Sequence, residues 1–377
     1  MRRIIIIGLV LFLAPVLRAQ YTVDTLSSKI TAFLSDRLNH DGDRPVHQFL
    51  LYYDGPGYRY NRAVGLADGT SLPAGNDFQF KIASVTKTFT ATVILQMAEE
   101  GLFELQDPMH PYLSDYDFIQ IDSIHLFNGQ SYGREVTIEQ LLQHRSGIAD
   151  MFFDKYDVFL EYFENHRRKQ WSPEALFEYI YDHQIHTLTH FPPGQGFHYS
   201  DVNYFLLGLI IEQASGTSLP EQIRERILDP LHMRNSYFEY YEPAHGHQKL
   251  AHAFMGPEDI TLSANTSFDW SGGGLVSTTS DLAVFIKALM GKRLFEHQAT
   301  LEAMMHMTDT GDMPFDYGMG LIGFHFNGER YYGHSGFWGV VMAHHPGDGR
   351  TICVAFNQAA PPFNYMRLVA DILAMIP

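Results

Sequence analysis

Ser84 and Lys87 stand three residues apart in FKIASVTKTFTA, residues 80–91. A serine hydroxyl is a weak nucleophile until a neighbouring group takes its proton, and on a helix a residue three positions on lies on the same face. The pair is therefore equipped to attack a carbonyl and hold an acyl group. A lone S-x-x-K also arises where serine caps a helix N-terminus, so the spacing alone leaves both readings open. Two more stretches carry suitable groups. Tyr199 follows a Pro-Gly loop and precedes an apolar run in PPGQGFHYSDVNYFLLG, and His334-Ser335-Gly336 closes a strand-like run in YYGHSGFWG, where glycine permits close approach to the backbone.

These groups need elements to hold them. The apolar residues Leu26, Ile30, Phe33 and Leu34 have the spacing of an amphipathic helix. HQFLLYY (47–53) and YRYNRAVGLA (58–67), separated by Asp54-Gly55-Pro56-Gly57, predict a hairpin. GLIGFHFNGERYYGH and WGVVMAHHPGDGRTICVAFN, with turns at Asn327-Gly328 and Pro346 to Gly349, predict three or four further antiparallel strands. Between them the signals are helical: Thr137 with Gln140 as a capping box, Ser172 before Pro173, and Gly216 as a stop. Ser84 would open an amphipathic helix with Val85, Phe89, Val93 and Met97 on its apolar face, ending at Gly101. A last helix lies in NYMRLVADILAMI. This order predicts a two-lobe α+β fold: an antiparallel sheet from N- and C-terminal strands, flanked by terminal helices, with an inserted, mostly helical lobe. The sheet lobe takes about 20–83 and 315–377, and the helical lobe about 84–314, within one catalytic domain over 20–377. The crevice between lobes is the expected site.

Residues 1–19 read as a secretory signal peptide: Arg2 and Arg3, an apolar run from Ile4 to Leu13, then Leu17-Arg18-Ala19. The run is shorter than the ~20 residues of a membrane span, so no stable membrane insertion is expected after cleavage. Cys353 is the single cysteine, which excludes an intrachain disulfide and, in an exported protein, suggests a bacterial periplasm or exterior. Loss of Arg2, Arg3 and Arg18 with the leader takes the formal charge from −17 to −20, which argues against nucleic-acid binding. Among 20 histidines, His245, His247 and His252 invite a metal reading, but no H-E-x-x-H or Cys/His spacing supports it and a solvated loop is the expectation. The chain has no G-x-S-x-G, and Gly272 to Gly274 do not form a phosphate loop. No metal or cofactor is expected.

FKIASVTKTFTA, LLQHRSGI, PPGQGFHYSDVNYFLLG, LDPLHM, SGGGLVSTTSDLAVF and GHSGFWG, taken in order over roughly residues 47 to 360, resemble segments of the class C β-lactamase and serine DD-peptidase superfamily. That superfamily also holds carboxylesterases and D-aminopeptidases. The resemblance implies a β-lactamase/transpeptidase-like fold and an acyl-enzyme on Ser84, with Lys87 and Tyr199 sharing the proton work. It implies an oxyanion hole from the N–H groups of Ser84 and Phe337, with His334, Ser335 and Gly336 along the substrate strand. A cation beside Tyr199 would pull its phenol down from about 10.

Two departures stand out. Asp201 occupies a place where Asn is common, and an ionised Asp accepts hydrogen bonds but cannot donate them. It would then lose a contact to substrate, pair with Lys87 and make the lysine a worse base, or simply cap the following helix. His334 replaces the lysine that helps hold a substrate carboxylate, which weakens the case for an efficient β-lactamase. The aromatic stretch MFFDKYDVFLEYFENHRRKQW (151–171) reads equally as a lid over an acyl pocket or as helical core. The expected function is an exported serine hydrolase of small esters or D-amino-acid peptides. The alternatives are a weak β-lactamase or DD-carboxypeptidase, or a catalytically poor cell-wall-binding module.

Overall fold

Strands β1 (Gln48–Gly55) and β2 (Tyr58–Gly65) form the hairpin expected from the Pro-Gly turn, with Leu50 opposite Ala63 and Gly57 at φ 75°, a value that favours glycine. The computed structural model describes residues 24–376. The signal-peptide reading lies outside them. Near the C-terminus come β3 (Asp316–Tyr317), β4 (Ile322–Phe326), β5 (Glu329–Gly336), β6 (Val340–His344) and β7 (Thr351–Ala355). The two groups join in one seven-stranded antiparallel sheet of order β3-β4-β5-β6-β7-β1-β2, closed by the β7–β1 ladder with Leu50 opposite Ala355. The C-terminal group thus has one strand more than the upper expectation. β3 is two residues long, too short for alternation to reveal it.

The alternation of side chains along a strand sorts the sheet into two cores. Phe49, Leu51, Val341, Ala343, Ile352 and Val354 face a cluster with Ile30 and Leu34 from helical residues 24–35 and with Leu368, Val369 and Ile372 near the C-terminus. Leu50, Val340, Met342, Cys353 and Ala355 face the larger core shared with the helical block. β6 and β7 are buried at every residue because both faces are covered, which explains the apolar runs Val340 to Ala343 and Ile352 to Ala355; the polar ends, His344 and Thr351, hydrogen-bond to each other at 2.8 Å.

Five helices matter for the site: α1 (Thr86–Glu99), α2 (Tyr156–Asn165), α3 (Asp201–Ser215), α4 (Thr279–Met290) and α5 (Tyr365–Met375). The sequence predicts an amphipathic α1, but the helix is buried on all sides from Thr86 to Leu95. Besides Lys87, its polar positions there are threonines with partners: the hydroxyls of Thr88 and Thr90 donate to the carbonyls of Gly320 and Ser271 at 2.8 Å each, that of Thr92 to Thr88 at 2.7 Å, and that of Thr86 accepts from Leu275 N–H at 3.1 Å. A satisfied hydroxyl can be buried at little cost, so the polar stripe needs no water. The other signals read from sequence correspond to observed caps: Thr137 and Gln140 form a reciprocal capping box, Ser172 caps the helix begun by Pro173, and Gly216 ends α3 at φ 73°.

Candidate active site

Ser84 sits in a single 3-10 turn, Ala83–Val85, just ahead of α1. It is not the cap of α1, because Val85 occupies that position and no side chain caps the helix. The residue before it, Ala83, is held at φ 45°, a left-handed conformation uncommon outside glycine and frequent at functional turns. Free of capping duty, the Ser84 hydroxyl accepts from Lys87 Nζ at 3.2 Å.

Lys87 is fully buried and directs its three N–H groups to three acceptors: Ser84 Oγ, Asp201 Oδ1 at 2.5 Å and the Gly272 carbonyl at 2.9 Å. Gly272 is required there, since a Cβ would lie 2.6 Å from Asp201 Oδ1. Of the readings of Asp201, the pairing with Lys87 is present and the helix cap is not. Asp201 begins α3 without capping it, and its own N–H donates to Asp150 Oδ2 at 2.7 Å. Asp150 also accepts from the N–H groups of Phe152 and Phe153 at 2.8 Å. Burial, reinforced by the charge of Asp201, pushes the Asp150 carboxyl up to about 7.

Tyr199 is held by the segment LLQHRSGI. Its ring stacks on His144 with centroids 4.2 Å apart. The His144 carbonyl accepts from His198 N–H at 2.9 Å, and His144 Nδ1 accepts from Ser200 N–H at 3.1 Å, so the loop is gripped on both sides of the tyrosine. Lys87 Nζ lies 5.1 Å from the centre of the Tyr199 ring. The expected lowering of the phenol by this cation does not occur. Burial and then Asp201 drive Tyr199 well above the ordinary tyrosine value, with only partial opposition from a hydrogen bond with Ser84. The cation's field is answered by its carboxylate partner.

His334 lies on β5 with Nδ1 at 2.7 Å from the Ser335 carbonyl and Nε2 at 3.1 Å from Tyr317 Oη. These partners assign the proton to Nδ1, which donates, while Nε2 accepts. Burial, then the charge of Lys87, pushes His334 down to about 3, so it is neutral. Gly336 lets β5 press against the nucleophile turn: a Cβ there would collide with the Ile82 carbonyl. Ser335, Gly336 and Phe337 consequently share one cavity wall with Ser84.

That cavity measures about 420 Å³, and Tyr199, Asp201 and His334 also line it. Most of its wall is apolar, including Phe152, Phe159, Phe163, Phe268, Phe315 and Trp338. The aromatic stretch at 151–171 serves both readings of it: α2 lines the cavity through Tyr156, Phe159, Leu160 and Phe163, while Trp171 is core. The charged residues of the wall are Asp201 and Asp269, with no Lys or Arg among the described lining residues.

Asp269 is partly buried at the cavity wall, and desolvation followed by the charge of Asp201 raises its carboxyl from 3.8 to about 7, against the opposing pull of Lys81 and Lys87. The native protein therefore keeps a proton that the unfolded chain releases near 3.8, and stability falls as pH rises from about 4 to about 7. Asp269→Asn is expected to flatten this part of the profile. Urea unfolding of both proteins at several pH values checks it, and parallel curves would refute it.

The site includes groups without a spacing signal in sequence, namely His144, Asp150, Asp269 and the Gly272 carbonyl. His245, His247 and His252 do not gather. His252 Nδ1 bonds Asp259 at 2.6 Å, and His245 Nε2 lies 3.7 Å from Glu242. Among the described residues a different trio, Asp154, His190 and His198, places its ligand atoms within 4.8 Å of one another.

The chain is similar to Protein flp of Staphylococcus aureus, with 27% identity over 255 residues, 66% of this chain and 47% of the relative. It thus spans about half the length of the curated relatives it matches first. A D-stereospecific amidohydrolase from Streptomyces sp. superposes with TM-score 0.72 at 25% identity, covering 88% of this chain and 96% of that one. A D-amino acid amidase from Ochrobactrum anthropi SV3 shares the fold with TM-score 0.76 at 23% identity, over 93% and 98% of the two chains. The family model described as Beta-lactamase matches residues 36–374, nearly the whole described chain. The order of motifs, the sheet with its inserted helical block and this match agree: the chain belongs to the Beta-lactamase family.

Proposed function

We propose that this chain is a serine hydrolase that cleaves neutral or amine-bearing esters and amides with a bulky apolar acyl part, through an acyl-Ser84 intermediate. The observation that carries this reading is the hydrogen-bonded series Ser84, Lys87, Asp201 at the wall of the 420 Å³ apolar cavity. Lys87 first hands a proton across the 2.5 Å bond to Asp201, and the neutral amine so formed takes the Ser84 proton as Oγ attacks the carbonyl carbon. The tetrahedral oxyanion is received by the N–H groups of Ser84 and Phe337. Tyr199, kept protonated by burial, supplies a proton to the departing oxygen or nitrogen. Water then attacks the acyl carbon and gives its proton to the Tyr199 phenolate, while Ser84 Oγ leaves with a proton from Lys87 and Lys87 regains one from Asp201.

The wall's charge selects the substrate. A neutral His334 and the absence of Lys or Arg in the described wall give a penicillin or a peptide C-terminal carboxylate no counter-charge, while the carboxyl oxygens of Asp201 and Asp269 can accept hydrogen bonds from an amine. The amidohydrolase and amidase similarities agree with D-amino acid amides as one such class. Export remains part of the reading through the Arg2-Arg3 leader and places the reaction outside the cytoplasm. The test is a rate panel of phenylalanine amide and phenylalanine ester in both D and L forms, a long-chain activated ester, benzylpenicillin, and an acyl-D-Ala-D-Ala peptide. The neutral and amine-bearing members should turn over faster than the two carboxylates. Faster hydrolysis of the carboxylates would overturn the substrate reading, and binding with no turnover of any member would establish the binding module instead.

A further inference from the structure

Asp154, His190 and His198 take no part in the proposed hydrolysis. Asp154 Oδ2 receives three donors: His190 Nε2 at 2.9 Å, His198 Nε2 at 3.0 Å and the Asp150 N–H at 2.7 Å. Asp154 Oδ1 enters none of the described hydrogen bonds. The imidazoles stack face to face with centroids 3.4 Å apart, so their Nε2 atoms point the same way. The side chains of His190 and His198 are 34% and 22% exposed, which gives an ion direct access from solvent.

We infer that Asp154, His190 and His198 form a zinc site, with two imidazole nitrogens, one carboxylate oxygen and a water completing four ligands. The donor set is one that zinc accepts, with Zn–N of about 2.0–2.1 Å and Zn–O of about 2.0–2.2 Å. Tetrahedral ligands at such distances lie about 3.3 Å apart, so the present 2.9 and 3.0 Å separations need to open by only a few tenths of an ångström. Binding through Nε2 requires each neutral ring to carry its proton on Nδ1 instead, a change of tautomer with no net proton released. The ion would not act on substrate. It would join the turn ahead of α2, which lines the cavity, to the loop that ends in Tyr199, since His198 is the residue before the tyrosine. From Asp154 the connection runs through Asp150 to the N–H of Asp201 and so to the partner of Lys87. Zinc is therefore a positioning element for the site, one that stiffens the tyrosine loop.

The experiment is calorimetric titration of zinc chloride into the chelator-stripped mature protein, with thermal unfolding recorded beside it. One zinc per chain and a raised Tm are expected near pH 7.5. His190→Ala, which alters an accessible ring, and Asp154→Asn should each abolish uptake. His190→Cys, which restores a zinc ligand, should recover it. No uptake by the parent protein, or uptake unchanged in His190→Ala and Asp154→Asn, would overturn the inference. These readouts do not depend on turnover, so they stand apart from the hydrolase reading.

Discussion

Ser84→Ala removes turnover by at least about 10⁴-fold while leaving the fold intact; this is the expected result for a nucleophile whose removal leaves only binding and oxyanion stabilisation. The structure explains why folding should survive. The hydroxyl contacts Lys87 and Tyr199 and caps no helix, so its loss exposes no orphaned backbone group. Steady-state rates on the best panel substrate and a thermal melt measure both halves. A slow substrate should add its acyl mass to the peptide containing Ser84 in the parent protein and not in the variant. Turnover within tenfold of the parent would remove Ser84 from the mechanism.

Lys87→Met should cost both activity and about 3–5 kcal/mol of stability, the usual range when one member of a buried ion pair is removed. Lys87 is fully buried and Asp201 is 7% exposed, so the stranded carboxylate has little water to turn to. The double variant Lys87→Met with Asp201→Asn removes the stranded charge and should regain most of the stability without regaining activity. Urea unfolding of the parent, the single variant and the double variant decides the point. Equal losses in the single and double variants would mean that packing, not the unpaired charge, sets the cost. Asp201→Asn alone also tests substrate choice, because an amide side chain can donate to a substrate carbonyl where a carboxylate cannot. It should raise relative rates on amides over matched esters, and an unchanged ratio would sink that expectation.

The sheet was legible because each of its longer strands carries an alternating or wholly apolar run between strong turns, as in β1, β2 and the Asn327-Gly328 hairpin. The nucleophile segment was legible from its company of motifs. What escaped is what depends on distant pairings. Lys87 and Asp201 are 114 residues apart, so their pairing had no counterpart in local spacing, and the burial that sends the Tyr199 phenol up, not down, depends on which distant segments close over it. Asp154 lies 36 residues from His190 and 44 from His198, with no short motif to link them. The threonines of α1 gave the appearance of a solvent face because a sequence does not show which carbonyls will receive their hydroxyls.

The ladder between β1 and β7 has a consequence for the order of assembly. Leu50 finds Ala355 only after the whole helical block between them has been made, and the strand that carries Phe337 toward Ser84 arrives by the same late event. Pairing between such remote segments must overcome a large loop-closure entropy, which slows folding and defers it past the earlier helical contacts. A growing chain can therefore bury its helical block while the cleft is still open on one side. Competence is thereby coupled to completion: a fragment ending before β5 has the nucleophile but lacks the wall that would receive the oxyanion.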